Sequence, residues 1–383
     1  MGFDSVAVTS TRHNRVEQEV SEVIDGVTYH RTPLPVGLLD RMQLRVPFWR
    51  ERILTRTMAD RLERVAREWQ PDVLHAHSPL FNGQAALRVS RRLGIPLIYQ
   101  IRAFWEDDAV DKMKISDGGL IYRTAKNQET AVVQGADYVA CICEGLRGDL
   151  VERGVAPEKI ILVKNGVQPD AFTPMAPDPE LVERLGLAGK RVLGFIGSFF
   201  HYEGLPDLID AIAEIRRQRD DFILLLVGGG EDEPLLHARV KELGLDDCVR
   251  FTGRVPHEQV AAHYSVVDTF VYPRRPKRLT HLVTPLKPLE AAAMERCVIG
   301  SDVGGIRELL DELEVGQTFR AGDSADLVRV LGEALDRDAA SLRSEGIQGR
   351  QAVLERRSWR RALTPLRELY ESIGQRIETI PAP

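Results

Sequence analysis

A lysine and a glutamate at the start of one predicted helix are the residues whose types best fit chemistry on a charged ligand. Lys287 and Glu290 are three residues apart, and Pro285 and Pro288 interrupt the chain beside them, which favours a helix that begins at this point. Residues at this spacing share one face of a helical turn. A lysine gives a phosphate a point charge, and a carboxylate accepts hydrogen bonds from ribose hydroxyls. The pair therefore predicts a nucleotide site, with an ordinary surface ion pair as the alternative.

A second predicted helix start follows a short distance along the chain. Gly304 and Gly305 come after an apolar strand at residues 297–299, and Glu308 falls in the first turns of the next helix. Ligands of open α/β sheets bind beyond the carboxyl ends of the strands, and helix N-termini favour anions such as a diphosphate. We therefore expect both helix starts to lie in one ligand-binding region.

The length and composition are those of an ordinary globular protein with two domains. A chain of 383 residues is long enough for two hydrophobic cores. The formal net charge of −6 argues against a dedicated nucleic-acid-binding protein, because such proteins carry a basic excess that neutralises phosphates. The four cysteines do not form a disulfide framework at this length and predict reduced core thiols in a cytoplasmic protein. No signal peptide and no apolar run of about 18 residues is recognised, so no membrane span is predicted.

Apolar runs alternate with helical patterns along the chain, which predicts an α/β protein with parallel sheets. A proline-rich polar stretch at residues 169–179 is interpreted as a linker. The predicted domains are residues 1–170 and 171–355, followed by a helical segment at 356–383. Strands are predicted at residues 1–10, 72–74, 95–101, 138–143, 160–163, 192–196, 222–227, 249–252, 268–272 and 297–299, and the last helices at 325–335, 339–355 and 359–376.

Charged residues follow the predicted strand at residues 95–101. Arg102, Glu106 and Asp107 lie beyond its carboxyl end, where α/β sheets bind ligands. The alternative is that the two acids are merely N-terminal charges of the next helix. His75 and His77 point to one face of an earlier strand, but one pair without a third ligand is weak support for a metal site.

The segment 39–68 is rich in arginine and has apolar residues at helical spacing. A basic amphipathic helix of this kind can dock on anionic lipid. The acids within the segment favour the other interpretation, in which the arginines lie on the solvated face of a helix that packs on the core. Peripheral contact with a membrane through this segment stays open as the alternative.

The run Pro285 to Glu290, with the pattern P-x-K-x-x-E, resembles the donor-site signature of retaining glycosyltransferases of family 4. The resemblance is closest to the exosortase/PEP-CTERM-associated, exopolysaccharide-type branch, which is also similar at Gly197-Ser198-Phe199 and Tyr202-Glu203-Gly204. It implies the GT-B fold: two Rossmann-like domains that face a cleft, with a C-terminal helix that crosses back to the first domain. It also implies an N-terminal domain on the acceptor side and a C-terminal domain for the donor.

The activity implied by the resemblance is hexosyl transfer, with retention, from a nucleotide diphosphate sugar to a hydroxyl acceptor in exopolysaccharide or cell-surface glycan synthesis. The acceptor would be a glycan or a lipid-linked sugar, and the enzyme would act in the cytoplasm or at the inner face of the plasma membrane. Cations of the protein, rather than a metal or another cofactor, would stabilise the leaving diphosphate. Neither the sugar nor the base, UDP or GDP, is implied.

The resemblance also assigns roles to residues. Lys287 would hold the diphosphate and Glu290 the ribose, while Arg102 and Glu106 would face them from the first domain. The predicted catalytic residues are Arg102, Glu106, Lys287 and Glu290. The predicted nucleotide-sugar contacts are Gly197, Ser198, Arg254, Val255, Thr284, Lys287, Leu289, Glu290, Gly304, Gly305 and Glu308.

The chain departs from the family pattern in several places. Ser198 and Glu203 stand where the broad family has an arginine and a lysine, so the phosphate charge is assigned to Lys287, with Arg274 and Arg278 as further candidates. The family's opening strand and Gly-rich loop have no counterpart, which suggests that the first β–α unit is missing. The alternative function is therefore a truncated or degenerate GT-B protein that binds nucleotide or a partner without catalysis. The sequence argues against a further alternative, a dinucleotide-dependent oxidoreductase, because no G-x-G-x-x-G motif follows a strand with an acidic residue about 20 positions on.

Overall fold

The computed structural model describes residues 2–11, 19–34, 47–112 and 115–378. The chain divides into two compact units. The first unit comprises Met1–Ile142, Leu146–Val163 and Thr364–Pro383, and the second comprises Cys143–Gly145 and Lys164–Leu363.

The strands of the first unit form two sheets. One has the order β1-β3-β2, in which β1 and β3 are parallel and β2 and β3 are antiparallel. The other has the order β4-β5-β6-β7 and is parallel throughout. The strands are β1 Val6–Val8, β2 Val20–Ile24, β3 Val27–Arg31, β4 Leu74–His77, β5 Leu97–Ile101, β6 Tyr138–Cys141 and β7 Ile160–Leu162. Strand β5 is buried along its whole length, as its mostly apolar sequence predicts.

Helices pack on these sheets and bury their apolar faces. The helices of the first unit are α1 Pro47–Trp69, α2 Leu80–Leu93, α3 Trp105–Lys112, α4 Leu120–Gly135, α5 Glu144–Glu152 (whose first two residues belong to the second unit) and α16 Thr364–Glu378. In α16, Tyr370 lies beside His75 of β4, with 2.5 Å between Tyr370 Oη and His75 Nδ1.

The Arg-rich segment is helical where the structure describes it, in α1. Leu54, Met58 and Val65 are buried, while Arg61 and Arg64 form ion pairs with Glu19. Paired arginines opposite a buried apolar stripe are typical of a helix that packs on a core. Residues 39–46 of the predicted segment lie outside the described residues.

Residues of β1 and β4 line one cavity of about 370 Å³. Within the described part of the chain, β1 pairs with β3 alone and β4 with β5 alone. The absence of a family β–α unit stays a prediction.

The second unit has one parallel sheet of six strands in the order β10-β9-β8-β11-β12-β13. Its strands are β8 Arg191–Ser198, β9 Phe222–Gly229, β10 Val249–Gly253, β11 Thr269–Tyr272, β12 Cys297–Ser301 and β13 Gln317–Phe319. The central strands are apolar and buried, since helices cover both faces of such a sheet. The predicted α/β architecture with parallel sheets is confirmed.

The helices of the second unit follow the alternation expected from the sequence. They are α6 Pro179–Leu185, α7 Leu205–Arg216, α8 Glu233–Leu243, α9 Val260–Ser265, α10 Arg278–Leu282, α11 Lys287–Ala293, α12 Gly304–Leu313, α13 Ser324–Asp336, α14 Ala339–Arg356 and α15 Trp359–Ala362. A short 3₁₀ helix, His201–Glu203, precedes α7. The prediction of a single helix at 359–376 is wrong. The segment forms two helices, α15 and α16, which are separated at Leu363 because Pro365 lacks the N–H that a continuous helix needs.

None of the helices in the described ranges is both long enough and apolar enough to span a membrane.

Candidate active site

Lys287 begins α11, as the two prolines predicted. Its Nζ donates a hydrogen bond to Glu203 Oε1 at 2.7 Å and lies 4.4 Å from the centre of the Phe195 ring. The Lys287 side chain keeps 20% of its exposure, whereas Glu203 keeps 2%. The ammonium is therefore fixed by a carboxylate and an aromatic face, and the Lys287 side chain is more exposed than that of its partner Glu203.

Glu203 accepts from a second cation. Arg274 Nε and Nη2 approach the two oxygens of Glu203, each at 3.2 Å. Burial alone would raise the pKa of Glu203, but the charges of Arg274 and Lys287 outweigh it and lower the pKa to about 2. Burial lowers the pKa of Lys287, and the Glu203 carboxylate opposes that change. The three side chains form one charge cluster.

Gly197 lies directly against this cluster. It has φ of +145°, and a Cβ there would lie 2.7 Å from Lys287 Cε and Nζ. Its backbone conformation is one that residues with a side chain rarely adopt. The structure thus gives Gly197 a second requirement, room for Lys287, besides the predicted approach of backbone amides to phosphates. Ser198 is the last residue of β8 and is exposed.

Glu290 lies one turn into α11 and is oriented by a tyrosine. Tyr264 Oη donates to Glu290 Oε2 at 2.8 Å. Burial raises the pKa of Glu290, and the hydrogen bond from Tyr264 and the charge of Lys287 oppose it. Lys287 and Glu290 thus lie on one helical turn as predicted, each with a fixed partner. Neither Glu203 nor Tyr264 was identified as a partner from the sequence.

The residues around this pair are mostly buried. Leu289 is fully buried in the core. The backbone oxygen of Thr284 accepts from Asn165 Nδ2 at 3.0 Å. Thr284 Oγ1 is buried and has no hydrogen-bond partner within the described residues. The nucleotide contacts predicted for Thr284 and Leu289 stay predictions.

The glycines at the start of α12 pack against the loop around α10. The N–H of Gly304 donates to His281 Nδ1 at 3.2 Å. A Cβ at Gly304 would lie 2.5 Å from His281 O, and one at Gly305 would lie 2.2 Å from Val283 O. These close contacts explain why both residues are glycines, since a side chain would collide with backbone.

Glu308 already accepts a bifurcated hydrogen bond from one backbone N–H of the protein. Its oxygens lie 3.1 and 3.0 Å from the backbone nitrogen of Glu144. A contact with the donor would therefore compete with this backbone group, and the predicted role of Glu308 stays untested.

Arg254 and Val255 follow the end of β10, where a base was predicted to bind. The side chains of Arg254 and Glu233 both lie close to Gly229. A Cβ added at Gly229 would lie 3.3 Å from Arg254 Cγ and 2.7 Å from Glu233 Oε2. The charged groups of Arg254 and Glu233 thus flank the carboxyl end of β9.

The two predicted catalytic residues of the first unit have different environments. Arg102 is exposed directly after β5. Glu106 has no exposed surface, and its Oε1 accepts from Arg153 Nη2 at 2.6 Å. Arg153 also pairs with Asp149 at 2.7 Å and lies 3.6 Å from the Phe104 ring centre. Contrary to the expectation that Glu106 faces a ligand, its carboxylate lies in a buried ion pair. The sequence did not reveal this pair, because Arg153 is distant along the chain and only the fold brings it close to Glu106.

The described residues contain no group of three or more metal-ligating side chains. The rings of His75 and His77 stack with 4.5 Å between their centres, and burial lowers the pKa of His75 to about 3. That the reaction needs no metal or other cofactor stays a prediction.

Comparison with protein-family models gives two matches that together cover most of the chain. Residues 1–166 match the model described as glycosyl transferase 4-like domain. Residues 190–337 match the model described as glycosyl transferases group 1. Both units thus carry a glycosyltransferase domain.

Several curated proteins are similar over nearly the whole chain. A GDP-mannose-dependent alpha-mannosyltransferase of Mycolicibacterium smegmatis is 26% identical over 94% of this chain and 86% of its own. A 2-deoxystreptamine glucosyltransferase of Streptomyces kanamyceticus is 25% identical over 88% of this chain and 85% of its own.

Solved structures share the fold of the chain. Sucrose-phosphate synthase from Thermosynechococcus elongatus superposes with a TM-score of 0.78 at 20% identity, over 98% of this chain and 90% of its own. Anabaena HepE, in complex with UDP and glucose, has a TM-score of 0.69 at 17% identity, over 91% and 86%. The predicted GT-B fold is confirmed.

The fold and the domain matches define the class of this protein as a GT-B glycosyltransferase. Within that class, it combines a glycosyl transferase 4-like domain with a group 1 domain.

Proposed function

We propose that this protein transfers a hexose from a nucleotide diphosphate sugar to a hydroxyl acceptor, with retention of configuration. The observation that carries the proposal is the pair at the start of α11, in which Lys287 is held by Glu203 and Glu290 by Tyr264. Relatives whose names specify a GDP-mannose-dependent mannosyltransferase and a glucosyltransferase support the same activity. The UDP in the HepE complex supports a nucleotide diphosphate as the ligand.

Lys287 acts on the leaving group in this proposal. An ammonium has three N–H donors, and Glu203 accepts from one of them. The remaining N–H groups of Lys287 would donate to the diphosphate and stabilise the charge that develops when the glycosidic bond breaks. This positive charge makes a metal unnecessary for the leaving group, which is why we propose a metal-independent reaction.

Glu290 binds the ribose in this proposal. Tyr264 occupies one carboxylate oxygen and so orients the other. No described residue donates a hydrogen bond to that other oxygen, Oε1. A carboxylate fixed in this way accepts hydrogen bonds from ribose hydroxyls without first reorganising.

The cellular role proposed is exopolysaccharide or cell-surface glycan synthesis in the cytoplasm, on a glycan or lipid-linked acceptor. Its support is the resemblance of residues 197–204 and 285–290 to the exopolysaccharide-type branch. Contact with the inner face of the plasma membrane is part of the proposal, and the exposed arginines Arg50, Arg52 and Arg56 of α1 support it. The rival, a non-catalytic protein that binds nucleotide or a partner, has less support because both units match glycosyltransferase domains.

Thermal unfolding with UDP, GDP and their sugars tests the proposal. A nucleotide at about 100 times its Kd should stabilise the folded protein by about 2.7 kcal/mol and raise Tm. Glu290→Ala should abolish the shift. Glu242→Ala, which removes an exposed glutamate of α8 in the same unit, is the matched control and should keep it.

A transfer assay completes the test. The nucleotide sugar that raises Tm is incubated with acceptor glycans, and NMR of the product gives the anomeric configuration. Inversion would refute retention, and binding without transfer or hydrolysis would favour the non-catalytic rival.

A further inference from the structure

Glu203 is buried between two cations that come from distant parts of the chain. Its oxygens lie 2.7 Å from Lys287 Nζ and 3.2 Å from Arg274 Nε and Nη2. Its side chain keeps 2% of its exposure. A buried carboxylate in contact with two cations is too enclosed to contact a ligand itself, so its effect must act through its partners.

The two cations differ in what they can still bind. Arg274 directs two of its nitrogens at Glu203 and a third, at 3.4 Å, toward Val283 O. Its side chain keeps 9% of its exposure. Lys287 donates one N–H to Glu203, and its side chain keeps 20% of its exposure. Lys287 is therefore the cation of this cluster that can reach a ligand, and Arg274 anchors the carboxylate.

The surroundings of Lys287 make its charge and place depend on Glu203. The charged groups that face it are Glu203, Arg274 and Glu290. The Phe195 ring lies beneath the ammonium, and Gly197 leaves the space that it occupies. Burial and Arg274 lower the pKa of Lys287, while Glu203 raises it. Without the Glu203 charge, the ammonium would face Arg274 in a poorly solvated place and would lose its proton more easily.

We infer that Glu203 is a positioning residue, whose carboxylate fixes the Lys287 ammonium where it meets the diphosphate of the donor. The inference rests on the proposed function, because the diphosphate enters through it. It gives a role to a carboxylate at a position where a lysine was expected: the negative charge does not meet the ligand, but holds the cation that does.

Calorimetric titration with UDP and GDP at about pH 7 and about pH 9.5, below the ordinary pKa of lysine, tests the inference. Glu203→Gln keeps the size of the side chain and removes its charge. Its affinity should be about tenfold lower at pH 7, because a neutral amide oxygen holds the ammonium less firmly than a carboxylate does, and lower still at pH 9.5. The wild type should change less with pH. Lys287→Met should bind UDP and GDP weakly, and its affinity should not fall further between pH 7 and pH 9.5. Glu203→Asp keeps the negative charge and should have an affinity between those of Glu203→Gln and the wild type.

A measurement without ligand separates this inference from the proposed function. A lysine whose pKa is lowered by folding makes stability rise with pH, because the unfolded chain then binds more protons. From pH 7 to pH 9.5, Tm of Glu203→Gln should therefore rise relative to wild type. The Glu203→Gln/Lys287→Met double variant should lose this rise. If Glu203→Gln does not fold, Glu203→Asp should show smaller changes of the same sign.

The outcomes are distinct. If the wild type binds neither UDP nor GDP but the Tm of the variants follows this pattern, the proposed function fails, and Glu203 still positions Lys287. If nucleotide binds and Glu203→Gln lowers affinity equally at both pH values, with no relative rise in Tm, the inference is overturned and the proposed function stands.

Discussion

Replacing Gly197 by alanine tests whether Lys287 or the backbone alone requires a glycine at the end of β8. The new Cβ would lie 2.7 Å from Lys287 Cε and Nζ, and the residue has φ of +145°. Alanine must therefore displace the ammonium from Glu203 and adopt an unfavourable backbone conformation at once.

The expected loss has two parts. A residue with a side chain in a sparsely populated backbone region costs about 1–3 kcal/mol. A buried ion pair that loses one partner costs about 3–5 kcal/mol, and we take about 2 kcal/mol because Lys287 is partly exposed and can turn toward solvent. The sum, about 4 kcal/mol, corresponds to a fall in Tm of about 8–16 °C for a unit of this size.

Thermal or urea unfolding of Gly197→Ala, Lys287→Ala and the double variant separates the two parts. If the clash with Lys287 matters, the double variant should be more stable than the sum of the single losses predicts, by about 2 kcal/mol. Gly244→Ala is the control, since Gly244 has φ of +66° and open space around it. Additive losses in the double variant would refute the reasoning, because they would mean that the backbone alone requires the glycine.

Three further predictions follow from hydrogen bonds and charges in the two units. Tyr264→Phe removes the donor to Glu290 and should weaken UDP or GDP binding about tenfold or more, since a hydrogen bond to a charged group contributes about 1.5–3 kcal/mol; an unchanged Kd by calorimetry would show that Tyr264 does not orient Glu290. Burial raises the pKa of Glu129 to about 7 from 4.5, so its proton stabilises the folded state fully below pH 4.5, and this contribution is lost as the pH rises through about 7. Between these pH values the free energy of unfolding of Glu129→Gln, measured with urea, should therefore fall by about 3 kcal/mol less than that of the wild type. The same dependence of the unfolding free energy on pH in both proteins would contradict the assignment. Arg153→Met leaves Glu106 buried without its cation and should cost about 3–5 kcal/mol in urea unfolding; a loss below about 1 kcal/mol would mean that Glu106 becomes protonated or solvated at little cost.

Much of the fold was predictable because it depends on local patterns. The apolar run at 222–227 and the start of α11 at Lys287 are both found where the sequence predicts them. Strands β2, β3 and β13 were not predicted. Strand β2 is exposed along its length and β13 has three residues, and such strands leave a weak pattern in the sequence.

The site was predictable only in part. Lys287 and Glu290 share a helical turn because their spacing places them there, whatever the rest of the chain does. Glu106 was expected at a ligand on the strength of its place beyond a strand, yet it is buried beside Arg153, 47 residues away. A position after a strand does not reveal which distant cation will cover it.

The sequence by itself determined the α/β alternation, the helix that begins at Lys287, and the glycines that precede or follow strands. These depend on residue spacing, on proline geometry and on runs of apolar side chains, all of which act within a few residues. Only the tertiary structure decided that Glu203, 84 residues before Lys287 and 71 before Arg274, lies between these two cations. The physical reason is that the partner of a buried charge is chosen by the packing of distant segments, because an unpaired charge in the interior would cost too much.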